Sequence, residues 1–200
     1  MKRKAYVIGN NTKKSLSPHI FNYWFKENNI DGTYLYKEIN KRNFKTEIHK
    51  ILNDESVCGF NITIPYKEAI SEYINKRDEH AEKIGAINCV SKIKNEWIGK
   101  NTDWVGFSNS LDAFAPDLKK NNALVFGYGG AGKAIVYALQ QDGFKNIYLH
   151  NRSQKRIFTN QNNQFLKILN LEESLLAVQK SDIIINSTPV DLLTNLISSE

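Results

Sequence analysis

Residues 127–132 read GYGGAG and fall between an apolar run, NALVF, and a helix-patterned segment, AIVYALQQ. Gly127, Gly129 and Gly132 meet the spacing G-x-G-x-x-G. Such a string is weak by itself, but at a strand-to-helix junction each glycine has a physical task. One permits a tight turn, one lets the backbone approach a pyrophosphate, and one lets the helix pack closely on the strand. The N–H groups at the helix start then favour phosphate charge. This junction commits the surrounding chain to strand–helix alternation around a parallel sheet. It predicts dinucleotide binding at Gly127, Gly129, Gly130, Ala131 and Gly132.

The end of the next strand discriminates between cofactors. An NAD site usually places Asp or Glu about 20 residues further on, holding the ribose hydroxyls. Here the strand ends HNRSQKR, with Asn151 and Arg152 where the acid is expected and Ser153 and Arg156 nearby. A guanidinium binds a 2′-phosphate bidentately where a carboxylate would repel it, so NADP is the expected cofactor. NSTP closes a later apolar strand, DIIIN, and puts Asn186, Ser187 and Thr188 at the same sheet edge, as nicotinamide contacts or as turn formers before Pro189.

The alternation extends over the whole chain. KAYVIGN, GTYLYKEI and VCGFNITIP read as strands, and SPHIFNYWFKENN, NFKTEIHKILND and YKEAISEYI as helices. GAINCVSKIKNEWIGKNTD reads as strand, turn, strand, and VGFSNSLDAF as a bridging helix before the polar APDLKKNN. In the second half AGKAIVYALQQDG is a helix ending on Gly143, SQKRIFTNQ a weaker one, FLKILN a strand and EESLLAVQKS a helix. The expected fold is α/β: a mostly parallel substrate and catalytic domain over 1–103, a bridging helix and linker over 104–121, and an incomplete Rossmann-type NADP-binding domain over 122–200.

Apolar residues make up 41% of the chain and charged residues 24%, the balance of a folded soluble protein. The net charge of +6 is scattered instead of gathered in one tract, which argues against a nucleic-acid arm and suits a field that draws in small anions. Cys58 and Cys89 lack C-x-x-C spacing and read as reduced, buried thiols of a cytoplasmic protein. No apolar run approaches the roughly 18 residues that span a bilayer. His19, His49, His80 and His150 are dispersed, and no cluster has metal-ligand spacing.

Hydride chemistry calls for a small-molecule site in the first half, and three polar strings stand out there: SLSPH (15–19), NITIPYK (61–67) and NTD (101–103). Ser17 before Pro18 reads as a helix N-cap, which leaves Ser15 unexplained by capping. A hydride reaching a ketone carbon leaves charge on oxygen, so a positioned donor that can also take back a proton lowers the barrier. Lysine fits that task, oriented by a nearby carboxylate. Lys67 reads as lying in the first turn of a helix, where a cation is mildly disfavoured.

Taken together these strings resemble the shikimate dehydrogenase family. The serine pair, N-x-T-x-P-x-K, a G-A-x-N strand (GAIN, 85–88), N-T-D, GxGGAG, the NRS strand end and an NATP-like strand occur in order from residue 15 to residue 189. The resemblance implies a two-domain enzyme, monomer or homodimer, that reversibly reduces 3-dehydroshikimate to shikimate with NADPH. It implies Lys67 and Asp103 as the catalytic pair. Ser15, Ser17, Thr63 and Asn88 become substrate contacts, the serines holding the carboxylate. The chain departs from the family at its end: 11 residues follow Pro189, and Asp191 follows Val190 where the family has glycine. A truncated chain, less stable than full-length relatives and impaired in turnover, is the expectation. An NAD-using quinate/shikimate dehydrogenase and a non-catalytic NADP-binding homologue stay open as alternatives.

Overall fold

The computed structural model describes residues 3–151 and 165–190. The chain divides into two units, Met1–Thr102 and Asp103–Glu200, each built on its own sheet. In the first, β1 (Arg3–Gly9), α1 (Ser17–Glu27), β2 (Gly32–Glu38), α2 (Phe44–Asn53) and β3 (Val57–Ile62) keep the alternation. Then come β4 (Lys76–Arg77), α3 (Glu79–Ile84), β5 (Cys89–Ile93) and β6 (Glu96–Lys100), in the sheet order β2-β1-β3-β5-β6-β4. β1 runs parallel to β2 and β3, and β4 to β6, whereas the β3–β5 and β5–β6 pairings are antiparallel. The β5–β6 hairpin turns at Lys94 and Asn95, with φ of 49° and 64°, the sign that a two-residue type I′ turn requires.

Period-two alternation distributes the core over both faces of this sheet. Ala5, Val7 and Tyr34 face α1, covered by Phe21 and Phe25. Ile8, Phe60 and Ile62 face the other way, against Phe44, Ile48 and Ile51 of α2.

Four local expectations give way. YKEAISEYI forms only a 3-10 turn over Ala69–Glu72. Its Tyr66, Ile70 and Ile74 are buried as the spacing demands, but the chain then extends into β4 to pair with β6. GAIN lies ahead of the strand: Gly85, with φ of 69°, caps α3, and β5 begins at Cys89. Cys58 is exposed, its thiol donating to the Lys4 carbonyl at 3.3 Å, because the β1–β3 register skips it in a bulge. Cys89 is half-buried, and both thiols are free.

The second unit contains α4 (Asp103–Phe114), β7 (Asn122–Phe126), α5 (Gly130–Gln141), β8 (Asn146–His150), β9 (Phe165–Leu169), α6 (Leu171–Val178) and β10 (Ile183–Asn186). The helix read as bridging packs within this unit, through Leu111 and Phe107, beside Val136 and Leu139 of α5. All three strand pairings are parallel, in the order β10-β7-β8-β9. Counted in chain order from the β9 edge this is 3-2-1-4, the first part of the doubly wound dinucleotide sheet. Ala123, Val125, Ile147 and Leu149 face α4 and α5, while Leu124, Phe126 and Leu169 meet Ala177 of α6 on the opposite face. α5 ends at Gln141, and Gly143 takes φ of 84° beyond its C-cap, Asp142. α6 starts on a capping box between Asn170 and Glu173. The segment SQKRIFTNQ, read as a helix, lies outside the described residues. Among the described residues no helix is long and apolar enough to cross a membrane, and no group of three His, Cys, Asp or Glu side chains could hold a metal ion.

Candidate functional site

Lys67 is carried by a turn tied down on all sides. β3 ends at Ile62, and the Thr63 N–H then donates to the Ile8 carbonyl at 2.9 Å. Gly9 permits this approach, since a Cβ there would fall 2.5 Å from the Thr63 methyl. The Thr63 carbonyl accepts the Tyr66 N–H at 3.0 Å. Tyr66 is buried, stacked on Phe44 at 4.1 Å between ring centroids, and its hydroxyl donates to the Ile39 carbonyl at 2.6 Å. The carbonyl of Lys67 itself accepts the Ile87 N–H at 2.7 Å. Lys67, half-buried, therefore sits in a turn ahead of the 3-10 segment and not in the first turn of an α-helix, so the dipole argument for it lapses.

Because the Tyr66 hydroxyl is buried with one acceptor, Tyr66→Phe leaves the Ile39 carbonyl without that donor, at a cost of about 1 kcal/mol. The expected result is a melting temperature lowered by about 2–4 °C in thermal unfolding followed by circular dichroism. An unchanged melting temperature would mean that the hydroxyl does not brace the turn.

The other first-unit motifs meet the same turn. Asn88 is buried; its Oδ1 accepts the Thr102 N–H at 2.8 Å, and its Nδ2 donates to Thr102 Oγ1 at 2.9 Å. Its backbone carbonyl accepts the Ile62 N–H at 2.8 Å and Nδ2 of Asn61 at 3.2 Å. Buried Asn101 donates to the Ala86 carbonyl at 2.9 Å. Segments 61–67, 85–88 and 100–102 thus form one hydrogen-bonded patch, and Asp103, half-buried, is the next residue and the first of α4.

The serine pair exchanges the roles expected of it. Ser17 is already helical, the N-cap position is Leu16 without a side-chain bond, and Ser15 Oγ accepts the Ser17 N–H at 3.2 Å. Ser15 Oγ also donates to Ser17 Oγ at 3.1 Å, which puts two hydroxyls side by side at the start of α1. Asn61 and Asn101, which the sequence reading does not single out as site residues, join the hydrogen-bonded patch through the Asn88 and Ala86 carbonyls.

In the second unit the glycine loop is shaped by backbone contact. Gly127 has φ of 95°, a conformation that a side chain strains. A Cβ on Gly132 would fall on the Gly127 carbonyl oxygen and 2.8 Å from Ser187 Oγ, so this glycine sets the approach of α5 to β7. Ser187 holds the loop from the β10 end: its N–H donates to the Phe126 carbonyl at 2.9 Å, and its hydroxyl reaches the Phe126 and Gly127 carbonyls at 2.8 and 3.1 Å. Thr188 turns back on Asn186 Oδ1 through its N–H at 3.0 Å and its hydroxyl at 2.7 Å.

Gly129 is the N-cap of α5, with no side-chain cap and no acidic residue in the first turn, and a Cβ there meets nothing within 4 Å. A dinucleotide pyrophosphate fits such an uncapped helix start with open space beside it. Gly130 and Ala131, both half-buried, supply the first helical N–H groups. Asn151 follows β8 directly and is half-buried, whereas Arg152, Ser153 and Arg156 lie outside the described residues.

Comparison with known proteins decides between relatives of this architecture. A family model described as shikimate dehydrogenase substrate binding domain matches residues 7–90, and one described as shikimate / quinate 5-dehydrogenase matches residues 110–194. A curated relative from Caldicellulosiruptor bescii, named shikimate dehydrogenase (NADP(+)), is 38% identical over 204 residues, covering 98% of this chain and 69% of its own length. The chain belongs to the shikimate dehydrogenase family. Solved shikimate dehydrogenases from Aquifex aeolicus and Thermotoga maritima superpose with TM-scores of 0.82 and 0.81 at 33% and 36% identity. They are matched over 96% and 95% of this chain and 70% of their own. The matched shikimate dehydrogenase segments divide as the fold does, one in each unit.

Proposed function

We propose that this protein catalyses the reversible reduction of 3-dehydroshikimate to shikimate with NADPH, a step towards chorismate and the aromatic amino acids. One observation carries the reading: three polar motifs distant in sequence are tied together at Lys67–Ile87 and Asn88–Thr102, within a chain of this family. NADPH, when bound, supplies the hydride. Gly129, Gly130 and Ala131 hold its pyrophosphate with their N–H groups, Gly127 and Gly132 shape the loop, and Ser187 braces it with Thr188 beside it. Asn151, Arg152, Ser153 and Arg156 take the 2′-phosphate.

Ser15 and Ser17 bind the substrate carboxylate with paired hydroxyls, and Thr63 and Asn88 orient its ring hydroxyls. Lys67 gives a proton to the ketone oxygen as charge develops there and takes it back in the reverse direction. Asp103 orients the lysine and a substrate hydroxyl. The domain assignment follows: 1–103 binds substrate, 104–121 connects, and 122–200 binds NADP. The protein works in the cytoplasm as a monomer or homodimer.

The test is oxidation of reduced cofactor by the purified chain with 3-dehydroshikimate, NADPH against NADH. The expected outcome is a preference of at least about tenfold for NADPH, about 1.4 kcal/mol from the guanidinium–phosphate contact. Equal rates with NADH, or faster turnover of quinate than of shikimate in reverse, would move the assignment to an NAD-using quinate/shikimate enzyme. NADPH binding without oxidation dependent on 3-dehydroshikimate would reduce it to a nucleotide-binding homologue.

A further inference from the structure

Tyr34, in the middle of β2, touches both arms of the first unit's site. Its phenol is buried, and its ring stacks on Phe21 of α1 with centroids 4.5 Å apart and planes 8° from parallel. Asn22 of α1 clasps its backbone: the Tyr34 N–H donates to Asn22 Oδ1 at 2.9 Å, and Asn22 Nδ2 donates to the Tyr34 carbonyl at 2.9 Å. The same Nδ2 donates to the Pro18 carbonyl at 2.7 Å, beside Ser17. On its other side the Tyr34 hydroxyl donates to Asn61 Oδ1 at 2.7 Å.

That last bond has a directional consequence. Burial pushes the phenol well above its ordinary value, with Cys89 adding to the shift, so the group keeps its proton and can donate at any working pH. An amide has one acceptor end, and a phenol that donates claims it. Nδ2 of Asn61 is thereby turned to the Asn88 carbonyl, a group that can only accept, and the two bonds agree on one orientation of the amide.

We propose that Tyr34 is a positioning residue: its hydroxyl fixes the Asn61 amide, Asn61 fixes Asn88, and its backbone holds the serine-bearing helix to the same strand. The role rests on the substrate site described under Proposed function. Tyr34→Phe keeps the ring, the stack and the Asn22 clasp, and deletes only the group that sets the Asn61 amide.

The test is stabilisation of the full chain by shikimate, titrated in thermal unfolding and paired with the KM for 3-dehydroshikimate. For Tyr34→Phe the half-saturating shikimate concentration and KM rise about tenfold, while NADPH affinity by fluorescence is unchanged. Asn61→Ala shows the same loss, and adding Tyr34→Phe to it costs nothing further, because the tyrosine acts through the asparagine. Additive losses in the double variant, or a Tyr34→Phe chain that binds shikimate like the parent, would overturn the proposal while leaving the substrate reading intact. A parent chain that does not respond to shikimate would overturn both. A Tyr34→Phe chain without cooperative unfolding would make the hydroxyl a folding requirement and overturn the positioning role.

Discussion

Replacing Lys67 by alanine is expected to lower turnover of 3-dehydroshikimate by about 10²–10⁴-fold, the range that positioned acid–base groups contribute, with NADPH affinity within about twofold of the parent. Hydride addition puts negative charge on the ketone oxygen, and without a donor at that oxygen the barrier rises in full. The turn itself should persist, because bonds that fix it belong to the Lys67 carbonyl, the Thr63 backbone and the Tyr66 hydroxyl, and alanine keeps these. Lys67→Arg separates charge from proton transfer. A guanidinium still neutralises the oxygen but does not release its proton, so KM stays near the parent value while kcat falls. Measured kcat, KM and NADPH dissociation constants decide it: a fall in NADPH affinity matching the fall in turnover would remove Lys67 from the chemical step.

What could be read in advance, and what could not, divides along the range of the interactions involved. GYGGAG was legible because its constraints are backbone constraints within six residues: a positive φ at Gly127, an open N-cap at Gly129, no room for a Cβ at Gly132. The apolar strands were legible because two-sided burial demands runs such as NALVF. Tyr66, Ile70 and Ile74 misled, since burial at helical spacing is equally satisfied by a 3-10 turn running into an extended strand. Ser17 misled because the serine-proline pattern says nothing of Ser15, whose hydroxyl accepts the Ser17 N–H at the helix start while Ser17 itself is already helical. Cys58 was placed inside by composition and is turned outward by one irregularity of register. Tyr34 carried no signal at all, for its bond to Asn61 joins residues 27 apart and exists only once three strands have paired.

Gly132→Ala is expected to weaken NADPH binding by at least about tenfold, or 1.4 kcal/mol, and to cost about 1–3 kcal/mol of stability through overpacking. The new methyl falls on the Gly127 carbonyl oxygen, a backbone atom that cannot swing aside, and crowds Ser187 Oγ at 2.8 Å. Relief requires α5 to lift from β7 or the loop to move, and either disturbs the bonds by which Ser187 holds the Phe126 and Gly127 carbonyls. Loss of NADPH affinity in that variant therefore mixes a displaced loop with a blocked site. Gly129→Ala separates the two: its φ of −83° suits any residue, its Cβ meets nothing within 4 Å, and losing glycine at the N-cap costs about 0.5–1 kcal/mol. Its melting temperature should fall less than that of Gly132→Ala. Its NADPH affinity should fall nonetheless, because the methyl occupies the space that the pyrophosphate needs beside the helix start. If Gly129→Ala binds NADPH as tightly as the parent, the open side of this loop is not where the phosphates lie.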